Sequence, residues 1–171
     1  IDGGARFGIH DSWVPLFRSD AKFRMFLFEP DKEEAQFLNS KYLEDQRITV
    51  VHSALGEAIK DKVVFNKPEH GGSTTEMFFA QESNYFKKMR PGSNDLRSKF
   101  EGGMTTIDNY ATTNNLKIDF IKLDVEGSEV NVIKGAEKSI KNDVLGVRSE
   151  ILFNQLYKHQ NETFSSIDAT L

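Results

Sequence analysis

Short apolar runs alternate along the chain with segments whose apolar residues recur at helical spacing. The apolar runs predict strands over residues 1–2, 23–28, 48–51, 119–124 and 144–153. The helical spacing predicts helices over residues 13–17, 31–43, 105–114, 128–141 and 162–171. Asp31 and Glu34 have the spacing of a capping box at the start of the second helix. Strands and helices in this order are typical of an α/β fold, with a mostly parallel sheet and helices on both faces.

Residues 57–104 interrupt this alternation. Short apolar runs at 63–65 and 77–79 predict two strands, separated by a stretch rich in Gly, Ser and Thr at 71–75. The basic residues 87–99 contain Pro91-Gly92, which favours a loop. Because the block is too short to bury a core of its own, we expect an inserted loop or hairpin within a single domain over residues 1–171.

Composition narrows the class of protein. The chain has 171 residues, 38% of them hydrophobic, including 14 Phe, which is enough to build one core. A net charge of -4 argues against nucleic acid as a partner. No apolar run approaches the roughly 20 residues of a membrane helix, and no charged-then-apolar pattern at the start of the sequence predicts a leader, so we expect neither a membrane span nor export. Cysteine is absent, which fits a cytoplasmic location and leaves no thiolate for a metal site.

Acidic residues follow two of the predicted strands. Asp124 is the last residue of strand 119–124, Glu126 follows it by two residues, and Glu150 lies near the end of the last strand. Open α/β sheets bind their ligands at the carboxyl ends of strands, so we expect a polar ligand here. These carboxylates suit three roles that the sequence leaves open: a divalent-metal site on Asp124 and Glu150, a general base, or caps for the helix at Ser128. His52 also lies near a strand end and could face this site.

The turn after the first strand reads Asp2-x-Gly4-x-x-x-Gly8. Glycines at such a turn let the backbone approach a ligand, although a purely structural turn has the same composition. The spacing departs from the Gly-x-Gly-x-x-Gly of dinucleotide sites, which argues against an NAD-dependent oxidoreductase. A carboxylate such as Asp2 repels pyrophosphate and suits a cationic or hydroxyl-rich ligand.

Glu29 ends the second predicted strand. A carboxylate at this position can accept hydrogen bonds from both ribose hydroxyls of a nucleotide. The alternative is a structural role in the turn with Pro30 and Asp31 that leads into the second helix.

With these motifs, the chain resembles the FkbM-type family of S-adenosylmethionine-dependent methyltransferases over nearly its whole length. The resemblance is carried by residues 1–8, 28–30, 53–56, 106–108 and 118–136, of which the last stretch is the most specific. It implies a class I methyltransferase fold, with a Rossmann-like sheet, and S-adenosylmethionine as the cofactor. It further implies an activity of hydroxyl O-methylation on a sugar or secondary-metabolite-like small molecule. Residues 57–104 would form much of the acceptor pocket.

The resemblance also assigns residues to the cofactor. Gly4, Ala5 and Gly8 would shape the turn beneath the methionine part, and Asp2 would lie near its sulfonium and amino groups. Glu29 would bind the ribose hydroxyls. Ser53 and Ala54 would lie against adenine, and Asp124 would border the same site. For the proton transfer, the leading candidate is Asp124, followed by Glu126, Glu150 and His52.

The chain departs from the family pattern in two respects, the residues of its first motif and its extent. Arg6 stands where a small Asn is usual, and Gly3 stands where an aliphatic residue is usual. The chain also begins at the end of the first strand and stops before the strands that normally complete this sheet, so we expect a fold truncated at both ends. These departures keep open a non-catalytic binding module with a methyltransferase fold. The sequence predicts no oligomeric state.

Overall fold

The computed structural model describes residues 1–68, 96–153 and 163–171. Its strands are β1 (Asp2–Gly3), β2 (Met25–Phe28), β3 (Ile48–Val51), β4 (Ala54–Leu55), β5 (Lys60–Pro68), β6 (Leu96–Thr105), β7 (Phe120–Leu123) and β8 (Gly146–Ser149). Its helices are α1 (Val14–Ser19), α2 (Lys32–Lys41), α3 (Ile107–Thr113), α4 (Glu129–Lys134), α5 (Glu137–Asn142) and α6 (Phe164–Thr170). The expected α/β alternation is confirmed.

Five strands form a parallel sheet in the order β3-β2-β1-β7-β8. In register, Asp2 of β1 lies between Leu27 of β2 and Lys122 of β7. From β1 the chain adds β2 and β3 on one side, and β7 and β8 on the other. The strand order therefore reverses between β1 and β7, and open α/β sheets bind ligands beyond the carboxyl ends of the strands at such a point.

The two faces of this sheet bury different apolar clusters, because side chains alternate along each strand. Met25 and Leu27 pack on one face, in a cluster with Phe17 of α1. Phe28 packs on the other face. That face is covered by residues of α3, α4 and α6, namely Ile107, Ala111, Val130, Val132, Ile133 and Ile167. Helices thus cover both faces, as the sequence predicted.

A second sheet has the order β4-β6-β5, with β5 and β6 antiparallel and β4 parallel to β6. The strand expected over residues 63–65 is longer, at Lys60–Pro68. We expected a loop over residues 87–99, and this prediction is wrong for Leu96 to Lys99. These residues pair with β5 and therefore belong to β6. The rest of that loop, the strand at 77–79 and the stretch at 71–75 lie outside the described residues.

The helix expected over residues 128–141 is wrong, since the structure has two helices with a break at Gly135. A Cβ at Gly135 would overlap the Gly56 carbonyl oxygen. The Gly135 carbonyl accepts a hydrogen bond from Asp108 N at 3.0 Å. The Asp108 carboxylate then caps α5 by accepting hydrogen bonds from Lys138 N and Ser139 N. A contact distant in sequence therefore ends one helix and starts the next.

The last strand is also shorter than expected, ending at Ser149 instead of continuing to residue 153. Among the described residues, no helix is both long and apolar enough to cross a membrane. The division of the chain into domains stays a prediction.

Candidate functional site

The loops after β1 and β7 meet at the carboxyl edge of the five-stranded sheet. Asp124 N donates to Gly3 O at 3.2 Å, which ties the two loops together. Gly4 has a φ of 76°, and a Cβ there would overlap Asp124 O. Only glycine fits this close approach in the left-handed region. At Gly4 the backbone therefore approaches the loop after β7, which fits the structural alternative for this turn, and the approach of a ligand to the turn stays a prediction.

Asp2 is completely buried beneath this turn. Its Oδ1 lies 3.1 Å from Lys122 Nζ, and Lys122 is itself 5% exposed. Burial raises the pKa of Asp2 above its ordinary value, while the Lys122 ammonium opposes that shift. The ammonium also donates to Gly3 O and Gly4 O, both at 3.3 Å. Sequence reasoning missed Lys122, and the available signal was a single cation inside an apolar strand.

Glu29 follows β2 and is 2% exposed. Its Oε1 accepts a hydrogen bond from Asp31 N at 2.8 Å. Burial raises the pKa of Glu29 to about 7. Within the described part of the chain, no Lys or Arg lies within ion-pair distance of this carboxylate. Among the described residues, Glu29 is therefore a buried acid without an ion-pair partner, although the charge of Arg6 is close enough to oppose the rise of its pKa.

Arg6, the departure from the family pattern, pairs with α2. Its Nη2 lies 3.1 Å from Glu34 Oε1, and the Arg6 side chain is 14% exposed. The capping box predicted for Asp31 and Glu34 is wrong, because Glu34 forms this ion pair instead. Asp31 caps α2 by accepting from Glu33 N at 3.0 Å, but Asp31 N donates to Glu29, and Glu34 pairs with Arg6. The acid that completes the turn at Asp31 is thus Glu29.

The turn after β7 is held by Glu129, the first residue of α4. The buried Glu129 carboxylate accepts hydrogen bonds from Val125 N at 2.9 Å and from Gly127 N at 3.1 Å. Between them, Glu126 has a φ of 56°, in the left-handed region that non-glycine residues seldom adopt. Glu129 is a second residue that sequence reasoning missed. Its position in the first helical turn, where acids are favoured, was the available signal.

The remaining acidic candidates differ in exposure and neighbours. The Asp124 side chain is 44% exposed, with Oδ2 3.7 Å from Lys122 Nζ. Glu150 is exposed and follows β8, next to β7, and Glu150 N donates to Leu123 O at 2.9 Å. The structure therefore brings Asp124 and Glu150 to adjacent strand ends. Among the described residues, no group of three or more His, Asp or Glu is placed to hold a metal.

His52 lies at the other end of this edge, after β3. It is exposed, and its Nε2 is 3.1 Å from Pro30 O. Four strand spacings separate β3 from β8, roughly 19 Å, so His52 and Glu150 cannot act on the same atom. Ser53 and Ala54 follow His52. Ser53 Oγ donates to Ala54 O at 3.1 Å and to Gly103 O at 3.3 Å, which joins the second sheet to this end of the edge.

Comparison with known proteins identifies the family. The profile described as the Methyltransferase FkbM domain matches residues 2–171. The chain belongs to the FkbM methyltransferase family. A solved structure, methyltransferase FkbM from Methylobacillus flagellatus KT, is 24% identical over 81% of this chain, with a TM-score of 0.48. The chain covers 28% of that protein's length. No curated protein matches the chain.

This FkbM methyltransferase domain has the expected class I methyltransferase architecture, an α/β fold with a five-stranded parallel sheet. Its residues that carried the sequence resemblance follow neighbouring strands. The glycine turn follows β1, Glu29 follows β2, and Asp124 follows β7. These three segments therefore share the edge where a ligand of this fold is bound.

Proposed function

We propose that this FkbM domain binds S-adenosylmethionine at the carboxyl edge of its parallel sheet and catalyses O-methylation of a small molecule. The observation that carries the proposal is Glu29, a buried carboxylate that has a single hydrogen bond and no ion-pair partner among the described residues. A ribose diol supplies two hydroxyl donors, which such a carboxylate accepts. A buried acid with a perturbed pKa at a strand end is a functional-site candidate on physical grounds.

The residues present fit the other parts of this cofactor. Gly4, Ala5 and Gly8 would form the turn beneath the methionine part, since this turn follows β1 at the carboxyl edge of the sheet. Glu29 would hold the ribose. Ser53 and Ala54 would lie on the adenine side, nearer to β3.

When bound, S-adenosylmethionine supplies a methyl group already activated by a sulfonium, so the chain has to align an acceptor and remove its proton. Alignment alone supplies up to about 7–11 kcal/mol in the best intramolecular cases. The proton of an acceptor hydroxyl would pass to the Asp124 carboxylate, which is half-exposed at the crevice between β1 and β7. A general base of this kind contributes roughly 10²–10⁴-fold.

Glu126 and Glu150 are the alternative bases near Asp124. His52 is the least suited of the four candidates, because it lies at the far end of the edge. Asp124 and Glu150 would be the ligands of a divalent metal if the reaction used one, since adjacent strand ends bring them side by side. The acceptor would be a hydroxyl on a sugar or a secondary-metabolite-like molecule, received in part by residues 57–104.

The test is an isothermal titration of the purified chain with S-adenosylhomocysteine, using NAD as the control ligand. We expect micromolar binding of the first ligand and none of the second. Glu29→Ala should weaken the binding by roughly tenfold or more, because charge-assisted hydrogen bonds are worth about 1.5–3 kcal/mol. Glu44→Ala, which removes an exposed carboxylate, is the matched control and should bind as the wild type does.

Each other outcome has a defined meaning. Binding of NAD instead would favour an oxidoreductase. Binding of neither ligand would contradict the proposed cofactor. Binding of S-adenosylhomocysteine with an unchanged Kd for Glu29→Ala would remove Glu29 from the ribose site. Retained cofactor binding without turnover on a panel of sugar and polyketide hydroxyls would favour the non-catalytic module.

A further inference from the structure

Lys122 is a buried cation in the middle of the central sheet. Its strand neighbours Ile121 and Leu123 are almost completely buried in the core on one face. Lys122 points to the opposite face, beside its register partner Asp2. It comes from β7, whereas the groups that it contacts belong to β1 and the turn that follows. Lys122 therefore bridges the two strands between which the strand order reverses.

The ammonium of Lys122 has three donors, and its three closest described partners lie at one place. They are Asp2 Oδ1 at 3.1 Å, Gly3 O at 3.3 Å and Gly4 O at 3.3 Å. Asp124 Oδ2 lies slightly farther away, at 3.7 Å. Every one of these groups is in the glycine turn, in the strand that leads into it, or in the loop that faces it.

Stability alone does not account for this arrangement. Taking an ammonium and a carboxylate out of water is costly, and well-packed apolar residues often replace a buried ion pair without loss of stability. A lysine that donates to two successive backbone carbonyls does something that an apolar residue cannot do. It fixes the orientation of the peptide groups at Gly3 and Gly4, and so the path of the turn.

We propose that Lys122 is a positioning residue of the cofactor site. It holds the Gly3–Gly4 turn at a set distance from Asp124, and Asp2 acts through Lys122 by keeping the ammonium in place. This inference rests on the proposed function, because the turn matters for binding only if the methionine part of the cofactor lies on it. The ribose and adenine would be bound elsewhere along the edge, by Glu29 and by Ser53 with Ala54.

This separation gives a test with two probes, S-adenosylhomocysteine and 5′-methylthioadenosine. The second probe keeps the adenine, the ribose and the sulfur but lacks the amino acid part. In Lys122→Met we expect the Kd of S-adenosylhomocysteine to rise about tenfold, the effect of losing one charge-assisted hydrogen-bond network. The Kd of 5′-methylthioadenosine should change less than about twofold. Lys138→Met, which removes an exposed lysine, is the matched control.

A second variant separates positioning from charge balance. Asp2→Asn/Lys122→Met leaves no unpaired buried charge, so it should fold even where the single variant does not. It still lacks the donors to Gly3 O and Gly4 O, and we expect the same selective loss of S-adenosylhomocysteine affinity. A double variant with the wild-type ratio of the two Kd values would overturn the inference, because charge balance would then be the whole role of Lys122.

The remaining outcomes distinguish this inference from the proposed function. Equal weakening of both probes would show a general structural role for Lys122 and would overturn the inference alone. An unchanged Kd for both probes in Lys122→Met would overturn it as well. A wild-type chain that binds neither probe would overturn the proposed function, and the inference with it.

Discussion

The ends of β1 and β2 present the same chemical group in two different electrostatic settings. Asp2 in β1 and Glu29 after β2 lie on neighbouring parallel strands, and both carboxyl groups are buried. Asp2 has the Lys122 ammonium at 3.1 Å. Among the described residues, Glu29 accepts one hydrogen bond, from the backbone N–H of Asp31, and the nearby cation Arg6 is paired with Glu34. Within the described part of the chain, one acid therefore has an ion-pair partner and the other has none.

Under the proposed function, this difference separates an acid that is committed to the fold from an acid that is available to a ligand. A buried carboxylate costs free energy unless a charge or several donors compensate for it. Asp2 is compensated within the chain, at the base of the glycine turn. Burial raises the pKa of Glu29 to about 7, and a buried acid whose pKa is shifted in this way is a candidate for ligand binding.

The largest expected effect comes from removing the acid that the protein neutralises. Asp2→Ala removes the closest partner of the buried Lys122 and leaves only the partly exposed Asp124, at 3.7 Å, and breaking a buried pair in this way costs up to about 3–5 kcal/mol. Urea unfolding would measure the loss. In Asp2→Ala/Lys122→Met the buried cation is gone, so much of that stability should return. A loss below about 1 kcal/mol in the single variant would show that Asp2 and Lys122 are not electrostatically coupled.

Glu29→Gln should raise the free energy of unfolding, whereas Asp2→Ala lowers it, and the gain should depend on pH. The pKa of Glu29 is raised from 4.5 to about 7 in the folded state, so the folded state binds more protons between these values. Stability from this group is complete below pH 4.5 and is lost as the pH rises through about 7. The loss amounts to about 3 kcal/mol at 1.36 kcal/mol per unit. Gln does not titrate, so the variant should gain stability relative to the wild type between pH 5 and pH 8.

The measurement is urea unfolding of both proteins at pH 5 and pH 8. Glu44→Gln, an exposed control, should follow the wild type at both values. A free-energy difference between Glu29→Gln and the wild type that is the same at both pH values would contradict the raised pKa of Glu29.

The local sequence pattern predicted most of the strands, but it did not predict the contacts between segments that are distant in the sequence. The strand at Ile48–Val51 was predicted with its observed bounds, because an apolar run between polar residues is a local signal. The break at Gly135 was missed, because it depends on Asp108 and Gly56, which lie far away in the sequence. The end of β6 was mistaken for a loop for the same reason, since its pairing with β5 is a long-range contact.

The candidate site shows the same limit. Glu29 and Asp124 could be proposed from sequence because they lie at strand ends, and the family match supports the resemblance that named them, while their roles stay predictions. Lys122 and Glu129 were missed. A lysine within an apolar strand has no identifiable partner until the strand order sets β7 beside β1. The pairing of Arg6 with Glu34 likewise requires the packing of α2 against the glycine turn.

The smallest expected effect is the pH dependence of ligand binding at Glu29. Ribose hydroxyls donate best to the ionised carboxylate, so below its pKa of about 7 the group must release a proton before it binds. The Kd should therefore rise by about tenfold for each pH unit below 7 and should be level above it, a change of about 1.4 kcal/mol per unit.

The probe is 5′-methylthioadenosine, which lacks the amino acid part and has no group that titrates between pH 5.5 and pH 8.5. Glu29→Gln should bind more weakly but with a level profile, while Asp2→Asn should keep the wild-type slope, because Asp2 faces Lys122 and not the ribose. A level wild-type profile from pH 5.5 to 8.5 would mean that the bound ligand does not select the ionised form of Glu29, and the contrast between the two acids would then be one of burial alone.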